Sequence, residues 1–527
     1  MSRKKKAPMI VRKHFNTAGP CKPDIHYMLP ASARLPELRR LIEGQNYFVI
    51  HAPRQVGKTT TMMQLAQELT AEGRYTALLV SAEVGSVFND DPGAAELAML
   101  GTWHGDARAW LPADLRPPEW PRVEAGQRVF AALEAWSQTS PRPLAVFIDE
   151  IDALENGALI SVLRQLRSGF RNRPHGFPWS LGLIGMRDVR DYKVKSGGSE
   201  RLNTASPFNI LARSLTISNF TADEVATLYQ QHTTETGQAF TAEAVARAFA
   251  LTQGQPYMVN ALAKVAVEEL VPNVTEAVTL AHIERAKEIL IERRETHLDS
   301  LGERLREERV RRVIQPILTG DELIEVPEDD RRFVLDLGLV RKVNGGNLTI
   351  ANPIYQEVIP RILAGSAQDT IVQEAKWYVL ADGRLDMNKL LTAFQQFFRE
   401  HSESWVERFD YKEAGPQLLL QAFLHRVVNG GGRIEREYGL GRGRTDLLIV
   451  WNYASGVQRV VLELKVLRKA LDKTIADGLV QTLEYGERCD ADELHFIVFD
   501  RSKKPWSKKI FKRTRKLRGT TIKVWGM

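Results

Sequence analysis

Three groups of residues have types and spacings that could do chemistry. The first closes the stretch YFVIHAPRQVGKTTTMMQLAQEL, residues 47 to 69, which reads as an apolar strand, a short loop and a helix. A loop ending in Gly57, Lys58 and Thr59 at a helix start offers a phosphate chain backbone N–H groups, an ammonium and a hydroxyl. Lys58 would reach the β- and γ-phosphates of ATP and Thr59 would bind Mg²⁺, while the backbone from Ala52 through Gln55, Val56 and Gly57 to Thr60 would cradle the anion. The pattern G-x-x-x-x-G-K-[ST] is met except at its first glycine, which is Ala52. One methyl is tolerable there unless the position needs a positive φ. The second group lies in PLAVFIDEIDAL, residues 143 to 154, where an apolar run ends in Asp149 and Glu150. A buried parallel strand with two carboxylates at its end suits an Mg²⁺ shell held by Asp149 and an attacking water polarised by Glu150. The third is in GRGRTDLLIVWNYASGVQRVVLELKV, residues 441 to 466. Strand alternation puts Glu463 and Lys465 on one face with Val461, and Leu462 and Leu464 on the other. With Asp446 on an adjacent antiparallel strand, two carboxylates and an ammonium would converge. Two readings stand at that point, a half-exposed strand and a metal-dependent cutting site.

Other elements must position these groups. Residues 76 to 84 read as another buried strand, and 85 to 142 as an insertion of helices and turns with no visible chemistry. ALISVLRQLRSGFRNRP is a helix pattern, and the strand WSLGLIGM then leads to Arg187, nominated as a sensor of the γ-phosphate. Arg171 and Arg173 at the preceding helix end are nominated as fingers acting in trans. From 216 the pattern turns helical, with Thr221 and Thr241 each followed by acidic residues as N-cap signals. Gly254 and Pro256 precede a further helix, whose N-terminus is expected near the nucleotide. The turn NGG between two short apolar runs near 345 is a hairpin signal, and helices on either side suggest a winged-helix module. The expected segments are an ATPase core with an N-terminal arm (1–215), a helical lid (216–295), the winged-helix-like module (296–365), a helical linker (366–410) and a last α/β domain (411–527). That domain reads as helix, three strands, helix, strand.

The chain has 527 residues and a net charge of +7. Residues 411 to 527 hold 23 Lys or Arg against 13 Asp or Glu, leaving 49 against 52 for the remainder. Ten of those positive residues fall in RSKKPWSKKIFKRTRKLR, residues 501 to 518, with no acidic residue among them. This segment nominates Lys503, Lys504, Lys508, Lys509, Lys512, Arg513 and Arg515 for a phosphate backbone, with DNA as the partner, against the plainer reading of a solvated basic tail. Only Cys21 and Cys489 are present, which suits a reducing compartment and argues against disulfides or a zinc site. No apolar run approaches the roughly 18 residues of a spanning helix, and the basic start MSRKKKAPM has no apolar segment behind it, so a cytoplasmic protein without a membrane partner is expected.

Within the element order of the last domain, Asp446 and the strand Glu463-Leu464-Lys465 resemble the PD-(D/E)XK nuclease fold of restriction endonucleases. The resemblance implies that Asp446 and Glu463 bind Mg²⁺ and that Lys465 positions or deprotonates the attacking water. It also implies roles for Gln481 and Tyr485 on the following helix and for a glutamate on the first helix, where Glu413 is preferred over Glu407 and Gln417. Thr445 replaces the proline of the motif. Over nearly the whole chain, HYMLP, the phosphate loop, DEID, NFTADE and LGLVRKVNGGNLTIANPIY resemble bacterial AAA-like ATPases of the origin-recognition and signal-transducing kind. That family implies an α/β P-loop NTPase core with helical lid and winged helix. Combined with a restriction-endonuclease-like domain, it implies an ATP- and Mg²⁺-dependent DNA nuclease, with a homo-oligomer left open and a role in defence or mobile elements. The alternative is a nucleotide-controlled switch whose nuclease fold binds without cutting.

Overall fold

The computed structural model describes residues 12–30, 34–186, 210, 212–293, 296–319, 326–343, 346–359, 362, 378–406, 415–428, 432–437, 446–468, 470–502 and 504–527. The chain divides into two compact units, Met1–Leu290 with Asp336–Gly338, and Ile291–Leu335 with Leu339–Met527.

The first unit is built on five parallel strands, β1 (Tyr47–His51), β2 (Thr76–Ser81), β3 (Leu144–Asp149), β4 (Ser180–Gly185) and β5 (Arg213–Thr216), in the order β2-β3-β4-β1-β5. Every residue of β3 and β4 is buried, as near-continuous apolar runs require when helices cover both faces of a sheet. Alternation splits the core in two. Val49, Val80, Val146, Ile148 and Leu183 pack on one side with Trp103 and Trp136, and Phe48, Ile50, Ala145 and Phe147 on the other with Met62 and Leu65 of helix α1 (Lys58–Ala71). The stretch expected as an insertion is thus core, because helices α2 (Pro92–Trp110) and α3 (Arg128–Thr139) supply those tryptophans. Its anchor is Glu96, fully buried, whose carboxylate accepts from Gly126 N, Arg128 N, Ser161 Oγ and Gln165 Nε2.

Helices α4 (Ala222–Thr236), α5 (Ala242–Thr252) and α6 (Pro256–Val265) follow the sheet, and the threonines cap as expected. Thr221 and Glu224 form a reciprocal capping box, and Thr241 Oγ1 accepts from Ala244 N at 3.2 Å. Gly254 before α6 has φ +70, and a Cβ there would lie 1.8 Å from Phe220 O. Gly254→Ala is therefore expected to cost about 3 kcal/mol, from the left-handed backbone and the collision together. Gly237, with φ +80 and open space around it, should lose only about 1 kcal/mol on the same change. Equal losses in chemical denaturation of the two variants would refute the packing argument.

In the second unit, helices Glu308–Thr319 and Glu328–Asp336 precede the antiparallel pair β6 (Val340–Lys342) and β7 (Leu348–Ile350). A mixed sheet of six strands follows, β8 (Gly432–Glu437), β9 (Asp446–Tyr453), β10 (Gly456–Val466), β11 (Glu493–Phe499), β12 (Phe511–Leu517) and β13 (Thr520–Gly526), in the order β12-β13-β11-β10-β9-β8. β9 is antiparallel to β8 and β10, whereas β10 and β11 run parallel through the crossover helix α9 (Leu471–Cys489). Helices α7 (Met387–Val406) and α8 (Gly415–Val428) supply the core of one face with Leu390, Phe394, Phe398, Leu420 and Leu424, and α9 supplies the other with Ile475, Leu483 and Tyr485.

The expected linker is corrected here. Residues 378 to 406 belong to the core of this unit: Tyr378, Leu385, Met387, Leu390 and Phe394 are buried beside Leu447 and Leu462, and Trp451 Nε1 donates to Gly383 O at 2.8 Å.

On the same face, Trp525 Nε1 donates to His495 Nδ1 at 3.1 Å, which leaves Nε2 to carry the imidazole proton toward Glu493 Oε2 at 3.3 Å. Burial pushes His495 below its ordinary range. Burial alone would raise Glu493, but the hydrogen bonds from His495 and Lys523 outweigh it and hold it down to about 2. Both folded values are depressed, so both groups stabilise at neutral pH. The histidine contribution is lost as pH falls below about 6.5 and the glutamate contribution as it falls from about 4.5 toward 2. Denaturation midpoints followed by tryptophan emission should drop between pH 7 and 5, and His495→Gln should flatten that slope. A slope unchanged in the variant would remove His495 as its source.

Candidate functional sites

In the first unit the end of β1 delivers the phosphate loop. Gln55 has φ +61 and Gly57 +90, while Ala52 is not in the left-handed region, so its methyl brings no strain. Ala52 and Val56 are buried in the core beneath the loop. Lys58 Nζ donates to Ala52 O at 2.7 Å and Pro53 O at 2.8 Å, and burial lowers its pKa. Thr59 Oγ1 donates to Asp149 Oδ2 at 2.5 Å, joining the start of α1 to the end of β3 across 90 residues of sequence. Asp149 Oδ1 accepts from Glu150 N at 2.9 Å, and burial raises this carboxyl. Glu150 has φ +54, and its carboxyl is pushed up to about 7, first by burial and then by a hydrogen bond with Glu83 and the charge there. Thr60 Oγ1 accepts from Cys21 N at 3.0 Å, which ties the N-terminal arm to the loop.

Two residues of this site escaped the sequence reading. Glu83, just past β2, could be found only by knowing that β2 and β3 are neighbours. Arg34 donates to Val56 O at 3.4 Å and Ser218 O at 2.6 Å, and its guanidinium lies 4.6 Å from the centroid of Phe220. Since Phe220 N also donates to Gly254 O at 2.8 Å, packed groups run from the phosphate loop to the turn before α6. Arg187 lies outside the described residues, as do Glu407, Glu413, Thr445 and Lys503. Arg171 is exposed, but Arg173 is corrected as a finger: it donates to Phe170 O and Gln45 O and stacks 3.6 Å from the centroid of Phe170.

In the second unit Glu463 and Lys465 share the α9 side of the sheet, and the register puts Asp446 directly opposite Glu463. The Glu463 side chain is fully buried. Lys465 Nζ stands 3.7 Å from its Oε1, beyond a hydrogen bond, and neither carboxylate oxygen has a hydrogen-bond partner among the described residues. Gln481 on α9 likewise has a buried Oε1 without a partner, and Tyr485 is buried four residues on. Buried acceptors without donors are costly. Hard oxygen donors suit Mg²⁺ at both centres. Of the first-helix alternatives, Gln417 is described; it is buried in α8 with Oε1 unpartnered.

The basic segment is no free tail. Its second half is β12, at one end of the described sheet, after a short helix at Trp506–Lys509. Lys509 is buried, with its Nζ 4.8 Å from the centroid of the Trp506 ring, a correction to its nomination. Lys504 pairs with Asp500 at 3.4 Å. Lys512 lies 4.6 Å from the Trp525 centroid and Arg513 4.5 Å from that of Phe511, while Lys508 and Arg515 are exposed.

The parallel sheet with its phosphate loop after β1 and carboxylates after β3 defines an α/β core of the P-loop NTPase type. Among solved structures, a Walker-type ATPase of Pyrococcus abyssi matches with 13% identity over 66% of this chain and 99% of its own, at a TM-score of 0.45. The RuvB Holliday junction branch migration motor of Thermotoga maritima matches with 15% identity over 62% and 93%, at 0.34. No family model and no curated protein matches the chain. No helix among the described residues is long and apolar enough to cross a membrane.

Proposed function

We propose that the chain is an ATPase coupled to a divalent-cation-dependent DNA nuclease. For the ATPase, the carrying observation is the 2.5 Å contact of Thr59 with Asp149, which brings a hydroxyl and a carboxylate together at the mouth of the phosphate loop. Thr59 and Asp149 would hold Mg²⁺, which supplies charge against the β- and γ-phosphate oxygens. Lys58 exchanges the carbonyls of Ala52 and Pro53 for phosphate oxygens. Glu150, once deprotonated, orients the attacking water and takes its proton. ATP turnover compared among wild type, Lys58→Ala and Glu150→Gln tests this assignment.

For the nuclease, the carrying observation is the buried carboxylate of Glu463, without a hydrogen-bond donor, in register with Asp446. A divalent cation there would supply positive charge to a phosphodiester approaching its transition state. Asp446 and Glu463 would hold it, Lys465 would orient the attacking water and Gln481 would accept a hydrogen bond from that water. The exposed Lys508, Lys512 and Arg515 suit contacts to the DNA backbone. Incubation with supercoiled plasmid and Mg²⁺, with and without ATP, beside Asp446→Ala and Lys465→Ala, tests the reading. Plasmid bound but left intact by all three proteins would instead favour the non-cutting switch.

A further inference from the structure

In the sheet of the first unit, the carboxylates and the phosphate loop do not leave neighbouring strands. The order β3-β4-β1 puts one strand between them, so the ends of β3 and β1 stand about 10 Å apart. The 2.5 Å contact of Thr59 with Asp149 spans that gap, yet its two oxygens are the ones that would take up the cation. Once an ion and a phosphate chain lie between them, something else must hold β3 against the loop.

The end of β4 lies in between. Pairing of β3 with β4 stops at Ile148 opposite Leu183, so Asp149 and Glu150 have no ladder partner on β4. Beyond that point a side chain takes over: Asp152 Oδ2, in the helical turn Ile151–Ala153, accepts from Met186 N at 3.1 Å. On the other side β1 pairs with β4 as far as His51 opposite Gly185, and Ala52 N then donates to Gly185 O at 3.3 Å. Ala52 is also the residue whose carbonyl accepts from Lys58. Two consecutive residues, Gly185 and Met186, are thus tied to the phosphate loop and to the turn behind Glu150. Gly185 makes room for this, since a Cβ there would lie 3.0 Å from Asp152 Oδ1 and 3.3 Å from its Cγ. Burial is the largest influence on the proton affinities of Lys58, Asp149 and Glu150, but the charge of Asp152 acts on all three.

We propose that Asp152 is a positioning residue for ATP hydrolysis. Its bond to the Met186 amide fixes Glu150 relative to the phosphate loop when the Thr59–Asp149 contact opens. The inference rests on the ATPase reading above and adds to it a residue that acts through the backbone of β4.

Steady-state ATP turnover of the full chain is measured beside ADP binding in EDTA, which needs the loop but not the carboxylates after β3. Asp152→Ala is expected to lower kcat at least about tenfold and to leave ADP affinity within about threefold, because a small misplacement of a reacting group slows chemistry without weakening binding. Asp152→Asn keeps an acceptor for Met186 N without the charge and should restore kcat to within about threefold of wild type. Gly185→Ala crowds the carboxylate without altering it and should lose kcat as Asp152→Ala does. Melting by circular dichroism checks each fold, and should Asp152→Ala fail to fold, Gly185→Ala decides. Equal losses of kcat in Asp152→Ala and Asp152→Asn would trace the effect to charge and overturn the bond as its cause. Wild-type kcat in Asp152→Ala or Gly185→Ala overturns the proposal, as does an ADP affinity that falls in step with kcat. In each of those cases a wild type that binds ADP and turns over ATP leaves the ATPase reading standing; a wild type that does neither sinks both.

Discussion

Lys58→Ala should lose ATP binding and turnover together, whereas Glu150→Gln should bind ATP as wild type does and turn it over at least about 100-fold more slowly. The contrast follows from position. Lys58 supplies the charge that meets the phosphates, while Glu150 lies beyond the end of β3 and acts on the attacking water. Equilibrium binding of a fluorescent ATP analogue and steady-state phosphate release measure the two effects separately. The proton affinity of Glu150 adds a second signature. A base held at about 7 in the free protein is largely protonated at pH 6, so kcat/KM should climb through pH 7 and level off above pH 8. Glu83→Gln removes the neighbouring charge and should move that midpoint to lower pH. A profile that keeps its midpoint in Glu83→Gln would show that the two carboxyls do not interact.

The second large effect concerns Glu463 and has two opposite halves. In EDTA, Glu463→Gln exchanges a buried, donorless carboxylate for a neutral amide of the same shape. It should stabilise the second unit by about 1–3 kcal/mol, with Lys465 at 3.7 Å offsetting part of the gain. With Mg²⁺ the order should reverse, since wild type gains stability by binding the ion and the variant does not. Plasmid nicking should fall at least about 100-fold in Glu463→Gln and in Lys465→Ala. Thermal unfolding with and without Mg²⁺ reads the stability half without any cleavage. If wild type is the more stable protein in EDTA, the carboxylate has partners of its own and the argument for a cation fails.

What the sequence disclosed follows from how local each signal is. The phosphate loop is one continuous segment, and Asp149 and Glu150 end one apolar run, so both were legible before any fold. The strands around Glu463 were legible through alternation and turn residues. Arg34 was not, because its acceptors are the carbonyls of Val56 and Ser218, and any residue supplies a carbonyl. Helix α7 was taken for a connection because its apolar face had no visible counterpart; that counterpart is a sheet beginning some 25 residues beyond its end. The strand Phe511–Leu517 hid in a run of charge because cations stand on both of its faces, which leaves no apolar alternation to detect.

That same strand bears on how copies of the chain could associate. β12 ends the described sheet, and an outermost strand is ordinarily where a second sheet adds on. Across a two-fold axis, however, Lys512, Arg513, Arg515 and Lys516 of one copy would be laid against the same four cations of another. Sheet-to-sheet growth at this end is thus electrostatically self-limiting, and salt, which screens the repulsion, should be what relaxes it.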